Sequence, residues 1–210
     1  MVIIQWIAML TMLIDHVGLV FFPHQETWRI IGRISFPIYA YALVQGHHYT
    51  SSRTRYIIRL AIIGAISQIP YQLALHINGF NVVVTLVAGA LVLYILERSD
   101  SRLLSWMVVV AACALMSEFP FDYGAYGLLL ILIFRYAKAS WLIVLHIILN
   151  LVFWFLNNWE LQIWSVIPTA VIAYGPQVWS KLESVRVSRW IWRSFYPLHL
   201  AIIAILRVLM

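Results

Sequence analysis

Between Val2 and Phe22 the chain offers one apolar run whose polar exceptions are Gln5, Thr11 and the adjacent pair Asp15-His16. Crossing the hydrocarbon of a bilayer takes about 20 apolar residues at 1.5 Å of rise each, and this run has that length. An ionisable pair inside such a span costs on the order of a few kcal/mol unless it is partnered or faces a wet cavity. A plain anchor would carry Leu and Val there instead. The run therefore predicts a membrane-crossing first helix, with further helices gathered around Asp15 and His16 to make a polar site. It has no cleavage signature, so it reads as a retained helix and not as a signal peptide.

The rest of the sequence points the same way. Hydrophobic residues make up 63% of the 210 and charged residues 10%, against about 45–50% and 25% in soluble domains, and mean hydropathy is +0.89. The expected fold class is all-α, a polytopic integral membrane helical bundle. Residues 1–210 read as a single domain, because too few polar residues remain for a soluble one. Ten Trp and eleven Tyr suit aromatic belts at the membrane–water interfaces. The one cysteine, Cys113, excludes an internal disulfide and a Cys-based metal site, and no metal is expected. The net charge of +6 reads as loop orientation, with no nucleic-acid partner.

Nine spans are predicted, at residues 2–22, 29–48, 56–76, 81–97, 103–119, 122–137, 140–157, 160–178 and 190–209. The linkers segregate by sign. One alternate set holds Arg53 and Arg55, Arg98 and Arg102, Arg135 and Lys138, then Lys181, Arg186 and Arg189. The other holds His24 and Glu26, His76 and Asn78, Glu118 and Asp122, then Asn157, Asn158 and Glu160. Positive loops face the cytoplasm, which puts the N-terminus inside and the C-terminus outside.

Three spans carry prolines that predict breaks: Pro37 in Arg29–Tyr41, Pro70 in Ser67–Gln72 and Pro197 in Ser194–Leu200. In lipid such breaks survive only where protein or a cavity satisfies the freed carbonyl. Arg33 lies four residues before Pro37, at the outer-half depth expected for Asp15 and His16, so one site is expected to contain all three. His146 and Asn150 are spaced i and i+4 and share one helix face.

Asp15-His16, Gly32-Arg33 followed by Phe36-Pro37, Tyr123-Gly124 with Gly127-Leu128-Leu129, and Tyr196-Pro197-Leu198-His199-Leu200 resemble the TraX family. Its members are integral membrane proteins named for acetylating the N-terminus of conjugative pilin. The resemblance runs in order along nearly the whole chain. It implies acetyl transfer from acetyl-CoA, bound on the cytoplasmic side, in a bacterial plasma (inner) membrane. Nothing in this sequence points to a conjugation system, so the reaction type carries over and the acceptor stays open among a peptide, a glycan or a small molecule. The expected partners are acetyl-CoA, the lipid bilayer and that acceptor.

In that frame His16 is the expected general base, with a buried, hydrogen-bonded histidine as the bland reading. Asp15 is expected to pair with Arg33 and not to orient His16, because adjacent helical residues do not face each other. Arg33 has three readings: it neutralises Asp15, stabilises the oxyanion of a tetrahedral intermediate, or holds a substrate anion. His199 is the fourth candidate, in the last span. Donor phosphates need cations, and Arg53, Arg55 and Arg59 supply them, flanked by Tyr49 and Tyr56 and by His47 and His48; ordinary positive-inside loops are the competing account. Glu118 and Asp122 are candidates for holding an acceptor ammonium or orienting His16, against an ordinary acidic loop. Cys113 sits in an apolar run that quiets a thiol, which favours direct transfer over a covalent acetyl-enzyme. The alternatives from other classes are a secondary transporter or proton-coupled channel, and a scaffold for filament assembly.

Overall fold

The computed structural model describes residues 2–175 and 188–209. Their helices are α1 (Val2–Phe21), α2 (Glu26–Gly32), α3 (Ser35–Tyr49), α4 (Arg53–Leu75), α5 (Val82–Leu96), α6 (Arg102–Glu118), α7 (Gly124–Tyr136), α8 (Ala139–Asn157), a 3₁₀ helix (Glu160–Ser165), α9 (Val166–Tyr174) and α10 (Arg189–Leu209). No strand is formed among the described residues; the one extended pairing is a bridge between Phe80 and Phe121. The expected all-α class holds. Lys181 and Arg186, and the end of the expected span at 176–178, lie outside the described residues.

Helix starts follow local chemistry. Ser52, Asn81 and Ser101 cap α4, α5 and α6 by accepting backbone N–H groups of Arg55, Val83 and Leu104. Four helices, α1, α4, α8 and α10, are long and apolar enough to cross a membrane. α5 and α7 are apolar but shorter. The shortness of α7 goes with its central place: it packs on α3, α5, α6 and α8, and Leu128, Leu130 and Ile131 are fully buried.

The expected proline breaks are corrected at two of three sites. α4 runs through Pro70 and α10 through Pro197 without interruption. Each proline removes one backbone hydrogen bond, and the neighbouring turns and helices hold the rest. The expected second span does divide, but at Arg33–Ile34, ahead of Pro37. Pro37 is the third residue of α3, in the first turn, where its missing N–H has no intrahelical partner to lose.

Polar contacts gather at two ends. At one, Phe80 N–H bonds Pro120 O and Asp122 N–H bonds Phe80 O, both at 2.9 Å, stitching the α4–α5 loop to the α6–α7 loop. Arg207 Nη1 reaches Ala74 O at 2.7 Å, so the C-terminal ends of α4 and α10 lie side by side. At the other end the Glu97 carboxylate receives Arg135 Nη2 at 2.8 Å, Arg53 Nε at 3.1 Å and His47 Nε2 at 3.2 Å. This clasp joins the last turns of α3, α5 and α7 to the first of α4. Glu97→Gln leaves two guanidinium groups facing each other. The expected loss is about 2 kcal/mol, moderated by the exposure of Arg53, or about 4–8 °C in melting temperature in detergent. An unchanged melting curve would show that the clasp contributes nothing.

Candidate functional site

Near the loop-stitched end of α1, Asp15 and His16 turn to different neighbours, as adjacent helical positions about 100° apart must. Asp15 faces α2. Its Oδ1 lies 2.8 Å from Arg29 Nη1 and 3.3 Å from Arg33 Nη2. The close approach of α1 and α2 depends on Gly32, the buried last residue of α2, where a Cβ would run into the Asp15 carboxylate.

Arg33 follows as the C-cap of α2. Its Nε donates to Arg29 O at 3.3 Å, Nη1 to Gln162 Oε1 at 3.1 Å and Nη2 to Asp15 Oδ1 at 3.3 Å. A guanidinium carries five N–H donors, so two have no partner among the described residues. Its Cζ lies 5.8 Å from the centre of the Tyr123 ring.

His16 faces α10. Its Nδ1 is 2.8 Å from His199 Nε2, and the rings stack at 5.0 Å with 7° between their planes. The proton positions follow from the far side of the pair. His199 Nδ1 is 2.7 Å from the Phe195 carbonyl, which only accepts, so Nδ1 carries the proton. With both rings neutral, His199 Nε2 is then an acceptor and His16 Nδ1–H its donor. That leaves the lone pair of His16 on Nε2, which no group among the described residues bonds.

His16 lines a cavity of about 80 Å³ together with Asp15, Arg29, Arg33, Tyr71 and Asp122, room for several waters or an acetyl group. A wider vestibule of about 630 Å³ shares Arg29, Arg33, Tyr71 and Asp122 with it and adds Glu26 and Glu160. Tyr123 forms part of both walls. Its backbone is left-handed, with φ 63°, and Gly124 follows at φ 43°. Glycine takes that conformation freely, whereas tyrosine stores about 1–2 kcal/mol. The Tyr123 ring is held by stacking on Phe36, centroids 4.0 Å apart. Strain of this kind gathers at sites where position matters.

The structure thus brings together Asp15, His16, Arg33 and His199, with the expected Asp15–Arg33 contact present. Asp122 joins the cavity wall, while Glu118 is exposed at the end of α6 and lines neither space. Arg53, Arg55, Arg59, His47 and His48 lie at the opposite end. The 18 residue steps of α4 from Arg53 to Tyr71 rise about 27 Å. Among these five, Arg53 and the fully buried His47 are engaged by Glu97, whereas His48, Arg55 and Arg59 are exposed. His146 and Asn150 do share a face and meet Tyr126 and Ser165. Sequence reasoning passed over Arg29, Tyr71, Tyr126 and Gln162. Arg29 carried a signal, since it precedes Arg33 by four residues and shares its helix face. Gln162 carried a weaker one, as an amide between Leu161 and Ile163.

Among curated proteins the chain is similar to "Probable fimbrial assembly protein FimC, serogroup H1" of Dichelobacter nodosus, 24% identical over 228 residues that take in 94% of this chain and 91% of that protein. No solved structure matches. The family described as TraX protein matches residues 1–207. With that match spanning almost the whole length, this chain belongs to the TraX family.

Proposed function

We propose that the protein is a membrane-embedded acetyltransferase that moves an acetyl group from acetyl-CoA to an acceptor amine or hydroxyl. The single observation that carries this reading is the His16–His199 pair at 2.8 Å, with the Phe195 carbonyl behind it and a free Nε2 beside the cavity. That arrangement supports a general base whose tautomer is fixed by its neighbour. In the reaction, the acceptor nitrogen or oxygen attacks the thioester carbonyl carbon while His16 Nε2 takes its proton. The new C–N or C–O bond forms, the C–S bond breaks, and the departing thiolate recovers the proton from His16. The two unengaged N–H groups of Arg33 serve the oxyanion of the intermediate. Of the three roles considered for Arg33, neutralising Asp15 and serving the oxyanion are thus compatible in one side chain.

The phosphates of the donor do not suit the vestibule, whose two arginines share Asp15 and whose rim carries Glu26 and Glu160. They suit the exposed Arg55 and Arg59 at the other end, which the proposed topology of nine crossings with a cytoplasmic N-terminus puts on the cytoplasmic side of a bacterial inner membrane. The fimbrial relative favours a pilin-like peptide as acceptor over a glycan or a small molecule.

Purified protein in proteoliposomes is expected to bind radiolabelled acetyl-CoA saturably and to pass the label to an acceptor peptide. Replacing Arg55 and Arg59 together by alanine is expected to raise the acetyl-CoA requirement about tenfold, the size of one or two lost charge-assisted contacts, with the acceptor requirement unchanged. Solute flux without saturable acetyl-CoA binding would replace this reading with a transporter.

A further inference from the structure

Behind Arg33 lies a buried hydrogen-bond network that the reaction above leaves unused. Gln162, 1% exposed, takes Arg33 Nη1 on Oε1 and gives an Nε2–H to the Tyr126 hydroxyl, each at 3.1 Å. Tyr126, at the core of α7, lies 2.8 Å from His146 Nε2, 3.0 Å from Ser165 Oγ and 3.1 Å from Asn150 Oδ1. His146 Nδ1 lies 2.7 Å from Thr169 Oγ1.

Two proton arrangements are open to this set, and because a hydroxyl makes at most three hydrogen bonds, each leaves one of the four Tyr126 contacts without a proton. In the first, His146 donates from Nδ1 to Thr169 and accepts from the Tyr126 hydroxyl on Nε2. In the second, Thr169 donates to Nδ1, His146 donates from Nε2 to Tyr126, and Tyr126 donates to Asn150. Both leave a lone pair on the Tyr126 oxygen for the Gln162 N–H. The Gln162 amide therefore has one orientation, with its oxygen toward Arg33; turning it over would set N–H against N–H. A neutral oxygen at this position holds the guanidinium without cancelling its charge, which a carboxylate would do.

We propose that Gln162, locked by Tyr126, is a positioning residue that fixes the Arg33 guanidinium with its two free N–H groups available to the cavity beside His16. The proposal rests on the acetyltransferase reading for its effect on rate, but not for its effect on Arg33 itself. Two readouts separate them, both on the full chain in proteoliposomes. The first is kcat and KM for acetyl-CoA in Gln162→Leu, Tyr126→Phe and the double variant. Gln162→Leu is expected to lower kcat about tenfold with KM unchanged. Tyr126→Phe, which deletes one oxygen, is expected to lower it less, and the double variant is expected to be no slower than Gln162→Leu alone. The second is the rate at which phenylglyoxal modifies Arg33, mapped by mass spectrometry. It is expected to rise several-fold in both single variants as the guanidinium is freed. Losses in kcat that add in the double variant, or an unchanged Arg33 modification rate, would overturn the proposal. If the wild-type protein transfers no acetyl group, the acetyltransferase reading falls, and the modification rate alone decides whether Gln162 holds Arg33.

Discussion

His16→Ala will leave the protein folded and lower acetyl transfer by about 10²–10⁴-fold, the usual contribution of a positioned acid–base group. The side chain borders an existing cavity of about 80 Å³, so removing it enlarges a space that water already suits and takes one hydrogen bond from His199. The melting temperature in detergent is therefore expected to shift by only a few degrees, corresponding to about 1–2 kcal/mol. Initial rates of label transfer at saturating acetyl-CoA provide the measurement, and a wild-type rate would remove His16 from the chemistry. His199→Phe adds a graded comparison. It keeps a ring between His16 and Phe195 but offers no acceptor, so His16 Nδ1–H loses its partner and the tautomer is no longer fixed. Its rate is expected to fall between those of wild type and His16→Ala.

The largest loss of stability is expected from Gly32→Ala. The added methyl occupies the place of the Asp15 carboxylate, so Asp15 must withdraw from Arg29 and Arg33. Breaking a buried ion pair in this way costs about 3–5 kcal/mol, equivalent to a fall of roughly 6–20 °C for a chain of this size. Thermal unfolding in detergent reads it. Asp15→Asn tests the cause, because it removes the charge and keeps the shape. If the methyl acts through the carboxylate, the two losses will not add in the double variant. A fall below about 1 kcal/mol would mean that α1 and α2 have slack where the structure shows contact.

Much of this site was legible in the sequence, and the reasons are local. An Asp and an Arg in neighbouring apolar stretches have few partners other than each other, so the Asp15–Arg33 contact could be read before any fold was known. The division of the second span near Arg33 was legible too, although Pro37 opens α3 instead of breaking it. Pro70 and Pro197 misled because one lost backbone bond is small against the packing of a long apolar helix. The His16–His199 contact joins residues 183 positions apart and has no local signature. The composition favoured both histidines, but only the arrangement of α1 beside α10 joins them. The same holds for Arg53, which looked free as a loop cation. Glu97, at the C-cap of an otherwise apolar helix, takes it, and a carboxylate directly after that apolar run was the available clue.

The level between the two polar ends has a consequence for any donor whose phosphates rest on Arg55 and Arg59. Leu43, Leu93, Leu130 and Ile131 fill it, each at most 2% exposed. They belong to one buried core that also takes in Ile57, between Arg55 and Arg59 in α4, and Met12, which lines the cavity beside His16. On the proposed reading a thioester would reach His16 only as packed side chains of this core yield, and turnover is then expected to depend on that loosening as well as on the chemistry.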